Sequence, residues 1–259
     1  MHKSSRRSFI KASTFASLSL GLATDVLAET TTNAPDKKGL AFLFQGDSIT
    51  DGNRGRDLSD LNHVMGHGYA CNIAGRIGAD FAKHGFNFYN RGVSGNTVSD
   101  LKNRWKTDAL DVKPDVLSIL IGVNDTNVYI KNKDRSDPLD QFEYDYRVLL
   151  SQSKQQNPDL LFVLGLPFVY PGSRTNQYFD LWKNSIDQRK QIVKKLAAEF
   201  NAIIVDYPAM FDNAMKDTPV NYWIWDGVHP TVPAHELMAR EWIKQVGERL
   251  NFLKIYKYK

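Results

Sequence analysis

From Gly39 onward the sequence alternates short apolar runs with longer amphipathic stretches, and this alternation constrains the fold more than any other feature. The apolar runs at residues 40–44, 86–89, 116–121, 160–164 and 202–205 read as strands. The stretches at 69–83, 98–108, 139–156, 178–200 and 233–250 read as helices. In the last of these, Met238, Trp242, Val246 and Leu250 recur at every fourth position, the spacing of a buried stripe. Strands alternating with helices predict a parallel sheet covered on both faces through right-handed crossovers, a three-layer α/β/α sandwich. Such sheets bind ligands at the carboxyl ends of their strands, where the strand order reverses. The segments that follow the strands are therefore the ones to search.

The N-terminal region has a different character. Residues 1–28 carry a basic segment (Lys3, Arg6, Arg7, Lys11), an apolar stretch over 12–23 and the small-residue ending Val26-Leu27-Ala28. That is the layout of a cleavable export signal, and Ser5-Arg6-Arg7-Ser8-Phe9-Ile10-Lys11 resembles the twin-arginine motif. The apolar stretch is too short for a membrane span, and no cysteine follows the cleavage site to carry a lipid, so no stable membrane anchor is expected. Twin-arginine export machinery is the transport partner this implies, with a periplasmic or secreted bacterial destination. Residues 29–38 are polar and read as a linker, which leaves 39–259 as a single domain without internal repeats.

The charge balance agrees with this division. Of 33 basic and 29 acidic side chains in 259 residues, residues 1–28 hold four basic and one acidic (Asp25). The other 231 residues are left with 29 basic and 28 acidic, so the overall +4 is mostly contributed by the leader. No nucleic-acid partner is expected; the lysines and tyrosines of 254–259 read as a solvated terminus. At 42% hydrophobic and 24% charged, with Cys71 alone, the chain is neither a disulfide scaffold nor disordered. Cys71 lies among helical apolar positions and reads as a packed side chain.

Four loops carry chemistry. After the first strand comes Gly46-Asp47-Ser48, a serine placed for nucleophilic attack. After the second comes Gly92-Val93-Ser94-Gly95-Asn96-Thr97, and after the third Gly122-Val123-Asn124-Asp125. A glycine N–H and an asparagine amide at such positions can donate to a developing oxyanion, although both residue types also serve ordinary turns and caps. Before the last helix lies Asp226-Gly227-Val228-His229-Pro230. A three-residue separation in a turn can bring the carboxylate to one imidazole nitrogen and leave the other free to accept a proton. Pro230 keeps His229 out of helical geometry.

Together the GDS, GxSGxT, GxND and DxxH blocks resemble those of the SGNH (GDSL) hydrolase family, in the family's order and across nearly the whole chain after the leader. The resemblance implies a five-stranded parallel, flavodoxin-like sheet and hydrolysis of carboxylic esters. It implies Ser48 as nucleophile, Asp226 and His229 as orienter and base, and an oxyanion hole from Ser48, Gly95 and Asn124. No GxSxG elbow of the α/β-hydrolase type is present. No cofactor and no metal are expected: His63 and His67 stand four apart but lack the HExxH glutamate, and no GxxxxGK[ST] loop occurs.

The loops after the third and fourth strands, 126–138 and 167–178, bear on the substrate. With the DxxH region they offer Tyr129, Phe168, Tyr170, Tyr178, Trp223 and Trp225 as substrate-binding candidates, and at least one of the two tryptophans is expected to pack beneath the loop instead. Aromatic faces mixed with amides and hydroxyls suit sugar rings. The leading expectation is a carbohydrate O-acetylesterase. A lysophospholipase or thioesterase, and a non-catalytic carbohydrate-binding protein, are the alternatives.

Overall fold

The computed structural model of the chain describes residues 39–132 and 134–254. The leader and linker readings on residues 1–38 lie outside the described residues.

Five strands form one fully parallel sheet: β1 (Ala41–Gly46), β2 (Asn87–Asn90), β3 (Val116–Leu120), β4 (Leu161–Gly165) and β5 (Ile203–Val205), in the order β2-β1-β3-β4-β5. The order reverses between β1 and β3, which pair from Phe42 opposite Val116 to Gly46 opposite Leu120. That reversal opens a crevice at the strand ends. Ser48 leaves β1 and Asn124 leaves β3 there.

The helices are α1 (Ser48–Asp51), α2 (Tyr69–Asp80), α3 (Val98–Trp105), α4 (Val123–Lys131), α5 (Leu139–Gln156), α6 (Phe179–Glu199), α7 (Tyr207–Ala214), α8 (Val220–Trp223), α9 (Val232–Gly247) and α10 (Asn251–Lys254). Because strand side chains alternate between faces, the sheet builds two cores. Phe42, Phe44, Val116 and Val163 point to one side and pack with Ile73 and Ile77 of α2 and Met238, Trp242 and Val246 of α9. Leu43, Leu117, Ile119, Phe162 and Leu164 point to the other and meet Leu101 and Trp105 of α3, Leu149 and Leu150 of α5, and Val193 and Leu196 of α6. The α9 stripe expected from its fourfold spacing is this first core. Trp242 is fully buried and donates from Nε1 to Ser118 Oγ at 3.0 Å. Burying its 150–250 Å² contributes about 4–6 kcal/mol at ~25 cal/mol per Å².

All five expected strands form, shifted by one or two residues at their ends. Three expected helices end earlier than their periodicity suggested. The 69–83 stretch is α2 plus a short 3₁₀ turn, Ala82–His84; the 98–108 stretch is α3 followed by a π turn, Lys106–Leu110; and the 233–250 stretch stops at Gly247 before α10. One expectation is corrected outright: 126–138, read as a loop, begins as α4, whose buried residues are Val123, Thr126 and Ile130.

Candidate active site

Asp47 terminates β1 and caps α1, its Oδ1 accepting from the Ile49 amide at 3.0 Å. The cap turns the chain so that Ser48 is the first helical residue at the crevice. The DxxH loop is pinned at its base by the Ile224–Pro230 bridge, the Trp225 amide donating to the His229 carbonyl (3.1 Å) and the Thr231 amide donating to that of Trp223 (2.8 Å).

Within this loop the Asp226 carboxylate is 2% exposed. Its Oδ1 accepts from the amides of Val228 (2.9 Å) and His229 (2.8 Å), and its Oδ2 lies 2.7 Å from His229 Nδ1. A carboxylate only accepts, so Nδ1 is the donor to Asp226, and in the neutral ring Nε2 is left as an acceptor. Ser48 Oγ lies 2.9 Å from that Nε2 and donates to it. Burial pushes the Asp226 carboxyl up, but the His229 amide, the His229 ring and the Val228 amide outweigh it and hold the carboxyl below its ordinary value. The serine, the imidazole and the carboxylate thus form one hydrogen-bonded chain, in which the imidazole can accept the hydroxyl proton.

The second loop reaches the same place through Asp51 of α1, which is 2% exposed. Asp51 Oδ2 accepts from the Ser94 amide (3.0 Å) and hydroxyl (2.7 Å), while Arg56 pairs with both its oxygens at 3.0 and 2.8 Å. Burial raises the Asp51 carboxyl, and the bonds from Arg56 and Ser94 lower it further than burial raises it. Gly95 follows at φ +86°, with open space where a Cβ would project. Glycine is favoured there by backbone conformation and not by crowding. Asn124, in the first turn of α4, donates from Nδ2 to the Asn96 carbonyl at 3.1 Å, which ties the third loop to the second.

These elements surround a cavity of about 210 Å³. Ser48, Ser94, Gly95, Asn124 and His229 form its polar wall, and Val123, Trp182 and Val228 its apolar wall, with Asn127 and Arg174 completing the lining. The structure therefore brings Ser48, Gly95, Asn124 and His229 onto one cavity, with Asp226 behind the imidazole.

The six aromatic residues read as substrate-binding do not line it. Phe168 is 2% exposed and, with Tyr170, packs against Phe211 in the core; the Tyr170 hydroxyl donates to Asp212 at 2.8 Å. Tyr129, Tyr178 and Trp223 are half-buried against the same core. Trp225 differs: it is 60% exposed and stacks beside the His229 ring, centroids 6.2 Å apart. Sequence reasoning missed Ser94, Asn127 and Trp182 as cavity residues. His63 is exposed and bonded to Asp60 (2.6 Å), and burial pushes the half-buried Cys71 thiol up.

Residues 44–237 match the model of the GDSL-like Lipase/Acylhydrolase family. An acetylxylan esterase of Geobacillus stearothermophilus is 34% identical over 213 residues, which cover 81% of this chain and 94% of that protein. Its crystal structure superimposes with a TM-score of 0.72, covering 83% of this chain and 97% of that one. Catalytic mutants of that enzyme, each replacing a serine, an aspartate or a histidine by alanine, have the same fold. A crystal structure from Parabacteroides merdae, described as a GDSL-like lipase, is 38% identical with a TM-score of 0.76, covering 82% of this chain and 97% of that one. The family match over most of the chain, the shared sheet and the identity to an esterase make this protein a member of the GDSL-like lipase/acylhydrolase family and a carboxylic ester hydrolase.

Proposed function

We propose that the protein is an exported serine esterase that removes acetyl groups from an acetylated oligo- or polysaccharide. Ser48 is the nucleophile: His229 Nε2 takes its proton while Oγ attacks the acyl carbon and the carbonyl oxygen becomes an oxyanion. The Ser48 and Gly95 amides and Asn124 Nδ2 receive that oxyanion. The protonated imidazole, stabilised by Asp226, returns its proton to the departing alcohol oxygen. Water, deprotonated by His229, then attacks the acetyl-enzyme, which releases acetate and restores the Ser48 hydroxyl.

The observation that carries this reading is the hydrogen-bonded chain from Ser48 through His229 to Asp226, opening on a cavity of only about 210 Å³. Drug-sized ligand sites occupy about 300–1,000 Å³, so this one suits a short acyl group. The similarity to an acetylxylan esterase supports a glycan as the alcohol part. The twin-arginine pattern of residues 5–11 supports export. Among the six aromatic candidates only Trp225 is retained, as a sugar-stacking face beside the cavity.

The test is kcat/KM along a series of 4-nitrophenyl esters, with acetate release from acetylated xylan, pectin, mannan and sialosides. The expected result is a maximum at acetyl, a steep loss beyond butyryl, and acetate from at least one glycan. Rates that hold or rise toward octanoyl support a lysophospholipase or thioesterase instead. No turnover of any ester identifies a non-catalytic binding protein.

A further inference from the structure

Among the described residues that line the cavity, Arg174 is the one with a permanently charged side chain. Its loop is docked on the DxxH turn: the Arg174 amide donates to the Asp226 carbonyl at 3.0 Å and the Tyr170 amide to that of Gly227 at 2.9 Å. A Cβ on Gly172 would come within 2.3 Å of the Asp226 carbonyl carbon, so only glycine permits this approach. The backbone therefore fixes where Arg174 stands, while its side chain remains 50% exposed.

The side chain makes a single contact with Asp226, from Nε to Oδ2 at 3.1 Å. That is longer than the 2.7–2.9 Å of a strong charge-assisted bond, and it is not the two-pronged pairing that Arg56 makes with Asp51. Asp226 Oδ2 is already engaged by His229 Nδ1. Among the described residues the two Nη groups have no hydrogen-bond partner. With only Nε engaged on Asp226, both Nη groups keep their N–H donors. Arg174 Nε is linked to Ser48 Oγ through Asp226 and the His229 ring. Trp225, on the same turn, presents its exposed indole next to the imidazole.

A cleft with one fixed positive charge, no exposed carboxylate on its wall and an aromatic face at its edge matches a substrate that combines a sugar with an anion. We propose that Arg174 is a specificity-determining residue that binds a carboxylate on the alcohol part of the ester, so that the preferred substrate is an O-acetylated oligosaccharide bearing a uronic-acid substituent near the acetylated sugar. The inference rests on the acetylesterase reading above. A carboxylate accepts two parallel N–H bonds from a guanidinium, a geometry that neutral hydroxyls do not reproduce.

The experiment compares kcat/KM for acetate release from two acetylated xylooligosaccharides of equal length, one with and one without a glucuronic acid branch, for the wild-type chain, Arg174→Lys and Arg174→Gln. Because each enzyme is its own reference, any general loss from the Asp226 contact cancels in the ratio. The wild-type enzyme should favour the acidic substrate about tenfold at low ionic strength. That preference should fall toward unity in about 1 M salt, where the screening length is ~3 Å. Arg174→Gln should abolish it and Arg174→Lys should keep part of it. A wild-type ratio near one, or a ratio that survives in Arg174→Gln, overturns the inference and leaves Arg174 as a positioning residue for Asp226. If neither xylooligosaccharide, nor acetylated pectin, mannan or a sialoside, releases acetate while 4-nitrophenyl acetate is still hydrolysed, the glycan reading itself has failed and the inference falls with it.

Discussion

Asp47 directly precedes Ser48 and is 1% exposed. Burial pushes its carboxyl up to about 7, the nearby Asp125 and Asp51 carboxylates push the same way, and the Ile49 amide opposes them. A carboxyl whose value is higher folded than unfolded binds more protons in the native state, so its contribution to stability declines as the pH rises between those two values. Here that window runs from about 4 to about 7. Asn at this position keeps an Oδ1 acceptor for Ile49 and carries no charge. The melting temperature of Asp47→Asn, relative to the wild-type chain, should therefore increase as the pH is raised from about 5 to about 8; a difference independent of pH would contradict this. Asp51 and Asp226 behave oppositely: both are held below their ordinary value, and their contribution is lost as the pH falls through the folded value.

At the scale of elements, legibility followed periodicity. The five strands are apolar runs and four of the five longest helices show apolar stripes, so their existence was readable while their ends were not. The π turn after α3 is one such end: the Asp111 amide reaches back to the Lys106 carbonyl at 2.8 Å, and no spacing rule announces it. Helix α4 was missed because one of its three buried positions is Thr126, whose hydroxyl is satisfied by Ser185 at 3.0 Å. A polar residue in a core stripe erases the stripe. The loops show the same division. The GDS, GxSGxT, GxND and DxxH blocks were visible because their chemistry requires particular residue types at fixed spacing. Arg174 lies in the 167–178 loop read as bearing on the substrate, whereas Trp182 reaches the cavity from α6 through tertiary docking and nothing local marks it. The aromatic residues after β4 were over-read, since Phe168 and Tyr170 complete the core, whereas of the DxxH pair Trp223 packs and Trp225 stays exposed beside His229.

For the whole molecule, sheet topology and charge distribution lead to one account. The β1/β3 reversal places the Ser48 and Asn124 loops side by side, and the DxxH turn before α9 brings His229 to Ser48. Residues 29–259 carry 29 basic and 28 acidic side chains, so any selection of an anionic substrate would fall to a local charge such as Arg174 and not to the overall field. The export reading predicts that Arg6→Lys combined with Arg7→Lys holds the protein in the cytoplasm on cell fractionation; unchanged export of that variant would remove the twin-arginine assignment. The central claim concerns Ser48, and a serine-directed phosphonate tests it most directly. Peptide mapping of the full-length chain after inactivation should find one label per chain, on the peptide containing Ser48, with esterase activity lost in proportion to labelling. A label on another residue, or activity that survives complete labelling of Ser48, would contradict the account.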